Sequence, residues 1–189
     1  MGNGIIMYYY KDGSKQAETT CPLSSLIAAK GDATIFVETG TNSGAGVQNA
    51  LDAGFDKIIS IETIESLHRG SQERFKGNDK VTLLHGCSRD LLLPAIKDIQ
   101  GKMLFWLDGH EYHDIPLIEE LSQIKSLSRN DHTILIDDVR MFKSEDWNGF
   151  ELEPVLNAIM LINTCYNISY FDSTNAVNDI LMASTNSLK

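Results

Sequence analysis

A chain of 189 residues can bury one core of ordinary size and is too short for two. Hydrophobic residues make up 42%, which excludes a disordered chain, and no apolar run is long enough to cross a bilayer. The formal net charge of −10 repels nucleic-acid phosphates, so neither a nucleic-acid partner nor a membrane is expected; a neutral or cationic ligand or a divalent cation suits that field.

Residues 1–30 show no clean period and are expected to form an appendage or lid over the ligand edge of a single domain, with the core in 31–189. The opening MGNGIIMYYYKDG has no basic region followed by an apolar run, so no signal peptide is expected. Cys21, Cys87 and Cys165 are odd in number and widely spaced, which fits a reducing, cytoplasmic setting rather than a disulfide framework. Cys21 and Cys165 are expected to be buried small apolar residues.

Strands rich in β-branched residues are predicted at Thr34–Glu38, Lys57–Glu62, Lys80–His85, Lys102–Asp108 and Thr133–Asp137. Helical spacing is predicted between them: over Ser43–Ala53, through Ile64, Leu67, Ser71 and Phe75, and through Ile96 and Ile99 with Pro94 in the first turn. A fourth helix follows Asp114 and Pro116 with Leu117, Leu121 and Ile124 inward, and a fifth runs over Glu151–Asn163. Strands alternating with helices imply an α/β, doubly wound parallel sheet. The tail breaks the rhythm. Tyr166–Phe171 and Asp179–Ala183 are both strand-like with only DSTNAVN between, so they are predicted to form an antiparallel hairpin.

Ligands of open α/β sheets bind outside the carboxyl ends of the strands. There the first strand runs into FVETGTNSGAGV, an acid followed by glycines 40, 44 and 46. Glycine permits positive φ and lets backbone lie against a ligand. GxxxxGK[ST] fails because Ala45 follows Gly44, and GxGxxG fails because Asn42 stands where its second glycine belongs. A carboxylate just before the turn would repel a pyrophosphate and welcome the ammonium of an amino-acid moiety. S-adenosylmethionine, with an ammonium and a sulfonium, fits that charge pattern. Glu38, Gly40, Thr41, Asn42 and Gly44 are therefore candidate cofactor contacts. Glu62, 24 residues after Glu38, stands where an acid accepts both hydroxyls of a ribose, with Thr63 beside it. Cys87 and Ser88, after the third strand, are placed to flank the adenine. Singly, Glu62 reads equally as a surface acid and Ser88 as a helix cap.

The fourth strand ends in LFWLDGHEYH and the fifth in ILIDDVRMF. Asp108, Asp137 and Asp138 should meet on one edge, where three carboxylates cannot all stay ionised without a counter-charge. A hard dication, Mg²⁺ or Mn²⁺, would supply one and would lower the pKa of an acceptor hydroxyl. His110 is the first choice for a base, with Asp108, also at the cofactor edge, as the alternative. His113 follows closely. Trp106 reads as core. Phe142, Trp147 and Tyr112 lie near the mouth, with packing favoured over sugar stacking. Arg140 could bind an acidic substrate group or pair with a carboxylate, and Tyr8–Tyr10 could serve a lid or a dimer contact.

The stretches ETGTNSGAGV, IISIE, LFWLDGH and ILIDDVRMF resemble the class I S-adenosylmethionine-dependent methyltransferases, and more narrowly the metal-dependent macrocin-type sugar O-methyltransferases. The resemblance is strong over roughly residues 34–142 and topological beyond. It implies a Rossmann-like seven-stranded sheet, mostly parallel, of order 3-2-1-4-5-7-6. It also implies cofactor contacts at Glu38, Gly40, Gly44, Glu62 and Ser88, and a metal held by Asp108, Asp137 and Asp138. Many relatives carry an acid where Cys87 stands. The expected acceptor is a sugar hydroxyl, free or in a glycan, and a homodimer is compatible with the short chain. The rival readings are a catechol-type small-molecule O-methyltransferase, a binding module without chemistry, and a metal-dependent hydrolase.

Overall fold

The computed structural model describes residues 7–9, 15–17, 21–110 and 114–185. Two short segments, β1 (Met7–Tyr9) and β2 (Lys15–Ala17), pair antiparallel as a separate ribbon. Helix α1 (Leu23–Lys30) follows, and then strands and helices alternate: β3 (Ile35–Thr39), α2 (Ala45–Asp52), β4 (Lys57–Glu62), α3 (Glu65–Arg74), β5 (Val81–His85), α4 (Ser88–Ile96), β6 (Met103–Leu107), α5 (Leu117–Lys125), β7 (Thr133–Ile136). A 3₁₀ turn at Val139–Met141 and helix α6 (Leu152–Ile162) lead to the closing strands β8 (Asn167–Phe171) and β9 (Ile180–Ser184).

The main sheet has seven strands in the order β5-β4-β3-β6-β7-β9-β8, which is 3-2-1-4-5-7-6 counted from β3. Its first five members are parallel, and β9 lies antiparallel between β7 and β8. The expected topology and the antiparallel hairpin are both present. An eight-residue link cannot carry the crossover that a parallel pair needs, so the chain turns back on itself. Among the described residues, no helix is long and apolar enough to cross a membrane.

Alternation along buried parallel strands sends residues to two cores. Ile35, Val37, Ile59, Ile61, Phe105 and Ile134 pack against Leu92 and Ile96 of α4, Leu121 and Ile124 of α5, and Val155 and Ile159 of α6. Phe36, Ile58, Leu104, Trp106 and Leu135 face the other way, onto Leu26 and Ala29 of α1, Val47 and Ala50 of α2, and Phe75 just past α3. Trp106 is core, as its place within a strand predicts. Cys21 is buried as expected, whereas Cys165 is exposed.

Local structure adds to or departs from the expectations in three places. Residues 23–30, which show no clean period in the sequence, form a helix whose buried side is Ser25, Leu26 and Ala29 while Ile27 points out. Small residues inside and an apolar one outside hide its period. Pro94 sits near the end of α4 rather than in its first turn; the helix starts at Ser88, with Asp90 in the first turn. On α3 the inward residues are His68 and Ser71, not Leu67, and Ile64 is exposed.

Candidate active site

The carboxyl ends of β3, β4 and β5 form one flank of the site. Gly40 leaves β3 at φ +85° and its N–H donates to the Ile61 carbonyl at 2.9 Å. A Cβ there would lie 2.3 Å from the backbone oxygen of Asp108, so only glycine lets the top of β3 press against the top of β6. Gly44, also left-handed, would drive a Cβ to 2.6 Å from the Phe75 ring. Asn42 between them has φ +49°. The turn is clamped from α3: the Ser71 hydroxyl donates to the Asn42 carbonyl at 3.2 Å and Arg74 to the Ser43 carbonyl at 2.9 Å.

Two acids support this turn. Glu38 is buried beneath it, and the Ser60 hydroxyl donates to its Oε2 at 2.6 Å while contacting the Thr41 hydroxyl at 2.5 Å. Glu62 ends β4 and receives one backbone N–H on each oxygen, Asn42 at 2.7 Å and Ile64 at 2.8 Å. A carboxylate oxygen has two acceptor positions, so each keeps one. Thr63 is exposed beside it. Cys87 caps α4 without a side-chain bond, and Ser88 opens the helix with its side chain buried. The predicted cofactor residues thus share the edge formed by the ends of β3, β4 and β5.

The other flank is the break-up of β6 and β7. The Asp108 N–H donates to the Thr39 carbonyl at 3.1 Å and to its hydroxyl at 3.3 Å. Asp137 is buried, and Asp138 turns out of the strand at φ +60°. The His110 Nε2 lies 2.9 Å from Asp138 Oδ2 and 3.7 Å from Asp108 Oδ1. Among the described residues, two groupings bring ligand atoms within 4.8 Å of one another: Asp108, His110 and Asp138, and Asp137, Asp138 and Asp179. The aspartate trio read from sequence is divided between them, with Asp138 in both.

Electrostatics follow from this crowding. Burial, and then the fields of Asp137, Asp138 and Glu38, push the Asp108 carboxyl well above its ordinary range. Burial and Asp138 push Asp137 up to about 8. Asp138 goes the other way: burial would raise it, but His110 and Arg140 outweigh that and hold it ionised. Buried Asp137 Oδ1 has no hydrogen-bond partner, whereas Asp138 Oδ1 is held by Arg140 at 2.5 Å.

Arg140, left between two roles by the sequence, pairs with carboxylates: Asp138 and the fully buried Asp179. It is part of the counter-charge the acid cluster requires. Asp179 went unread in the sequence because nothing local marks it; β9 must pair with β7 to bring it here, where it also accepts the Ser173 hydroxyl at 2.6 Å. Trp147 is buried with its ring 4.6 Å from that of His110 and 5.1 Å from that of Phe142, which supports packing. Tyr112 and His113 lie outside the described residues, as does Tyr10.

No family model matches this chain, and no curated protein matches it. Solved structures do. An SAH-bound methyltransferase, PaMTH1 of Podospora anserina, superposes with a TM-score of 0.59 at 15% identity, covering 87% of this chain and 76% of that one. The O-methyltransferase of Bacillus cereus in complex with SAH gives 0.58 at 16%, covering 87% and 79%. Spermidine synthase of Thermotoga maritima gives 0.59 at 9%, covering 86% and 57%. At such identities the likeness establishes a class I methyltransferase fold, and the third structure illustrates that this architecture carries more than one chemistry.

Proposed function

We infer that this protein is an S-adenosylmethionine-dependent O-methyltransferase that acts on a sugar hydroxyl with the help of a divalent cation. The observation that carries the reading is a bare glycine turn between Glu38 and Glu62, one strand away from the Asp108–His110–Asp138 cluster. The SAH-bound neighbours support the donor. The Glu62 oxygens, each with an acceptor position to spare, suit two ribose hydroxyls. The buried Asp137 Oδ1, which has no hydrogen-bond partner, suits a cation.

When bound, the cation would lower the pKa of an adjacent hydroxyl and the sulfonium would supply the methyl group. The chain's own residues do the rest. Asp108 and Asp138 orient the acceptor edge. His110 commits Nε2 to Asp138, which leaves Nδ1 to take the acceptor's proton, with the carboxylate steadying the charged imidazole. Asp108 is the alternative base, but its neighbours already favour its protonated form.

Calorimetry with S-adenosylhomocysteine tests the donor, and absence of binding at millimolar ligand rejects it. Thermal melts with Mn²⁺ test the cation: wild type should gain stability and Asp138→Ala should not. A screen of free and nucleotide-linked sugars with labelled donor tests the acceptor. A catechol-type acceptor is the second reading, favoured by a neighbour titled a putative caffeoyl-CoA O-methyltransferase of Staphylococcus aureus; turnover of phenols but not sugars in that screen would select it.

A further inference from the structure

We propose that Trp147 is a positioning residue for His110: its indole fixes the plane of an imidazole that Asp138 holds at one atom only. The inference rests on the reading of His110 as the base. His110 Nε2 meets Asp138 Oδ2 at 2.9 Å, and one hydrogen bond fixes a point on the ring without fixing its tilt. The torsion that turns a histidine ring has broad preferences, so the tilt must be set by what packs on it. The Trp147 ring stands 4.6 Å from the His110 ring, with the two planes at 73°. Aromatic rings favour this edge-to-face arrangement, and here it blocks the turn.

The strand end that delivers the carboxylate also delivers the indole. Asp138 leaves β7, the 3₁₀ turn follows, and residues 143–150 form a loop closed on itself. The Lys143 N–H donates to the Phe150 carbonyl at 2.8 Å, and the Gly149 N–H to the Ser144 carbonyl at 2.9 Å. The Trp147 N–H donates to the Ser144 hydroxyl at 3.3 Å. Phe142 and Phe150 seat the indole, with ring centroids 5.1 Å and 6.4 Å from it, and both pack against the core that α4, α5 and α6 cover. The indole is thus tied to the body of the domain before it meets the imidazole.

Its exposure says how it acts. Lys143, Glu145, Asp146 and Asn148 of the same loop are exposed, whereas Trp147 is 3% exposed. So little of the ring reaches solvent that it offers no face to an acceptor. Burial accounts for an aromatic residue turned inward, but it does not select the neighbour. The neighbour is the imidazole that lies between Asp138 and Asp108. Held at Nε2 by the carboxylate and across its plane by the indole, His110 keeps Nδ1 in one direction relative to the ends of β6 and β7. Misplacing a catalytic group by about 1 Å can cost on the order of a hundredfold in rate.

NMR on the full chain, stripped of metal by a chelator, tests the contact. Five histidines give few ring signals, and His110→Gln identifies those of His110. In wild type they should show cross-relaxation to the indole protons of Trp147; its absence overturns the proposal with no variant that must fold. Trp147→Leu should move the His110 signals. With the best acceptor from the screen above, it should lower kcat about tenfold while acceptor KM and S-adenosylhomocysteine affinity stay unchanged. Trp147→Phe restores a ring and should recover most of the rate. A folded Trp147→Leu protein with unmoved His110 signals, an unchanged kcat, or an equal loss of donor affinity overturns the proposal while the base reading stands. His110→Gln at the wild-type rate overturns both.

Discussion

The two flanks of the site are built on opposite principles. Around the glycine turn, most polar contacts have backbone on one side: Glu62 is held by two N–H groups, Gly40 is hydrogen-bonded to Ile61, and α3 reaches over to the Asn42 and Ser43 carbonyls, with only the neutral Ser60 and Thr41 hydroxyls linking side chains to Glu38. At the ends of β6 and β7, charged side chains contact one another, and the buried Asp137 Oδ1 is left without a hydrogen bond. The first flank is shaped before any ligand arrives. The second holds more negative charge than His110 and Arg140 neutralise, and Asp108 and Asp137 are pushed toward their protonated forms as a result. Shape recognition and charge recognition are thus separated by one strand.

Substitutions can break that contrast. The largest effect is expected from Arg140→Met, which leaves the buried Asp179 and its neighbour Asp138 without their cation; denaturant unfolding should show a loss of about 3–5 kcal/mol. Gly40→Ala attacks the other flank. Positive φ and overlap with the Asp108 carbonyl should cost about 2–4 kcal/mol and abolish S-adenosylhomocysteine binding in calorimetry.

Asp137→Asn should sharpen the contrast by stabilising the acidic flank. The folded carboxyl titrates near 8 against an ordinary 3.8, so between these values the folded state keeps a proton the unfolded chain has released. This contribution to stability is full below about pH 4 and is lost as pH rises through 8. In chelator-treated protein the variant should therefore gain on wild type as pH rises from about 4 to about 8, in parallel melts. The smallest effect belongs to Arg74→Ala. Losing one exposed clamp on the turn should cost about 0.5–1 kcal/mol and weaken S-adenosylhomocysteine a few-fold, with Mn²⁺ binding unchanged.

The strands and the site edge were legible in the sequence because both rest on local signals. Buried parallel strands are short apolar runs, and glycines and paired acids mark where they stop. The link DSTNAVN gave away the hairpin through its length. What could not be read depends on distant partners. Asp179 acquires its meaning only when β9 docks on β7, and Arg140 only when Asp179 is beside it. Glu120 shares the inward face of α5 with Leu117 and Ile124, but its charge hides that placement in the sequence. The first helix stayed hidden because Ser25 and Ala29 form a buried side too small to register as apolar.

The antiparallel return of β9 has a consequence for biosynthesis. Arg140 is anchored by a carboxylate 39 positions further along the chain. A nascent polypeptide that has emerged only as far as β7 carries the crowded aspartates without that anchor. The acidic flank therefore stays incomplete until β9 has emerged and docked on β7, and a molecule cut short before β9 would keep the glycine turn while its acidic half stayed unfinished.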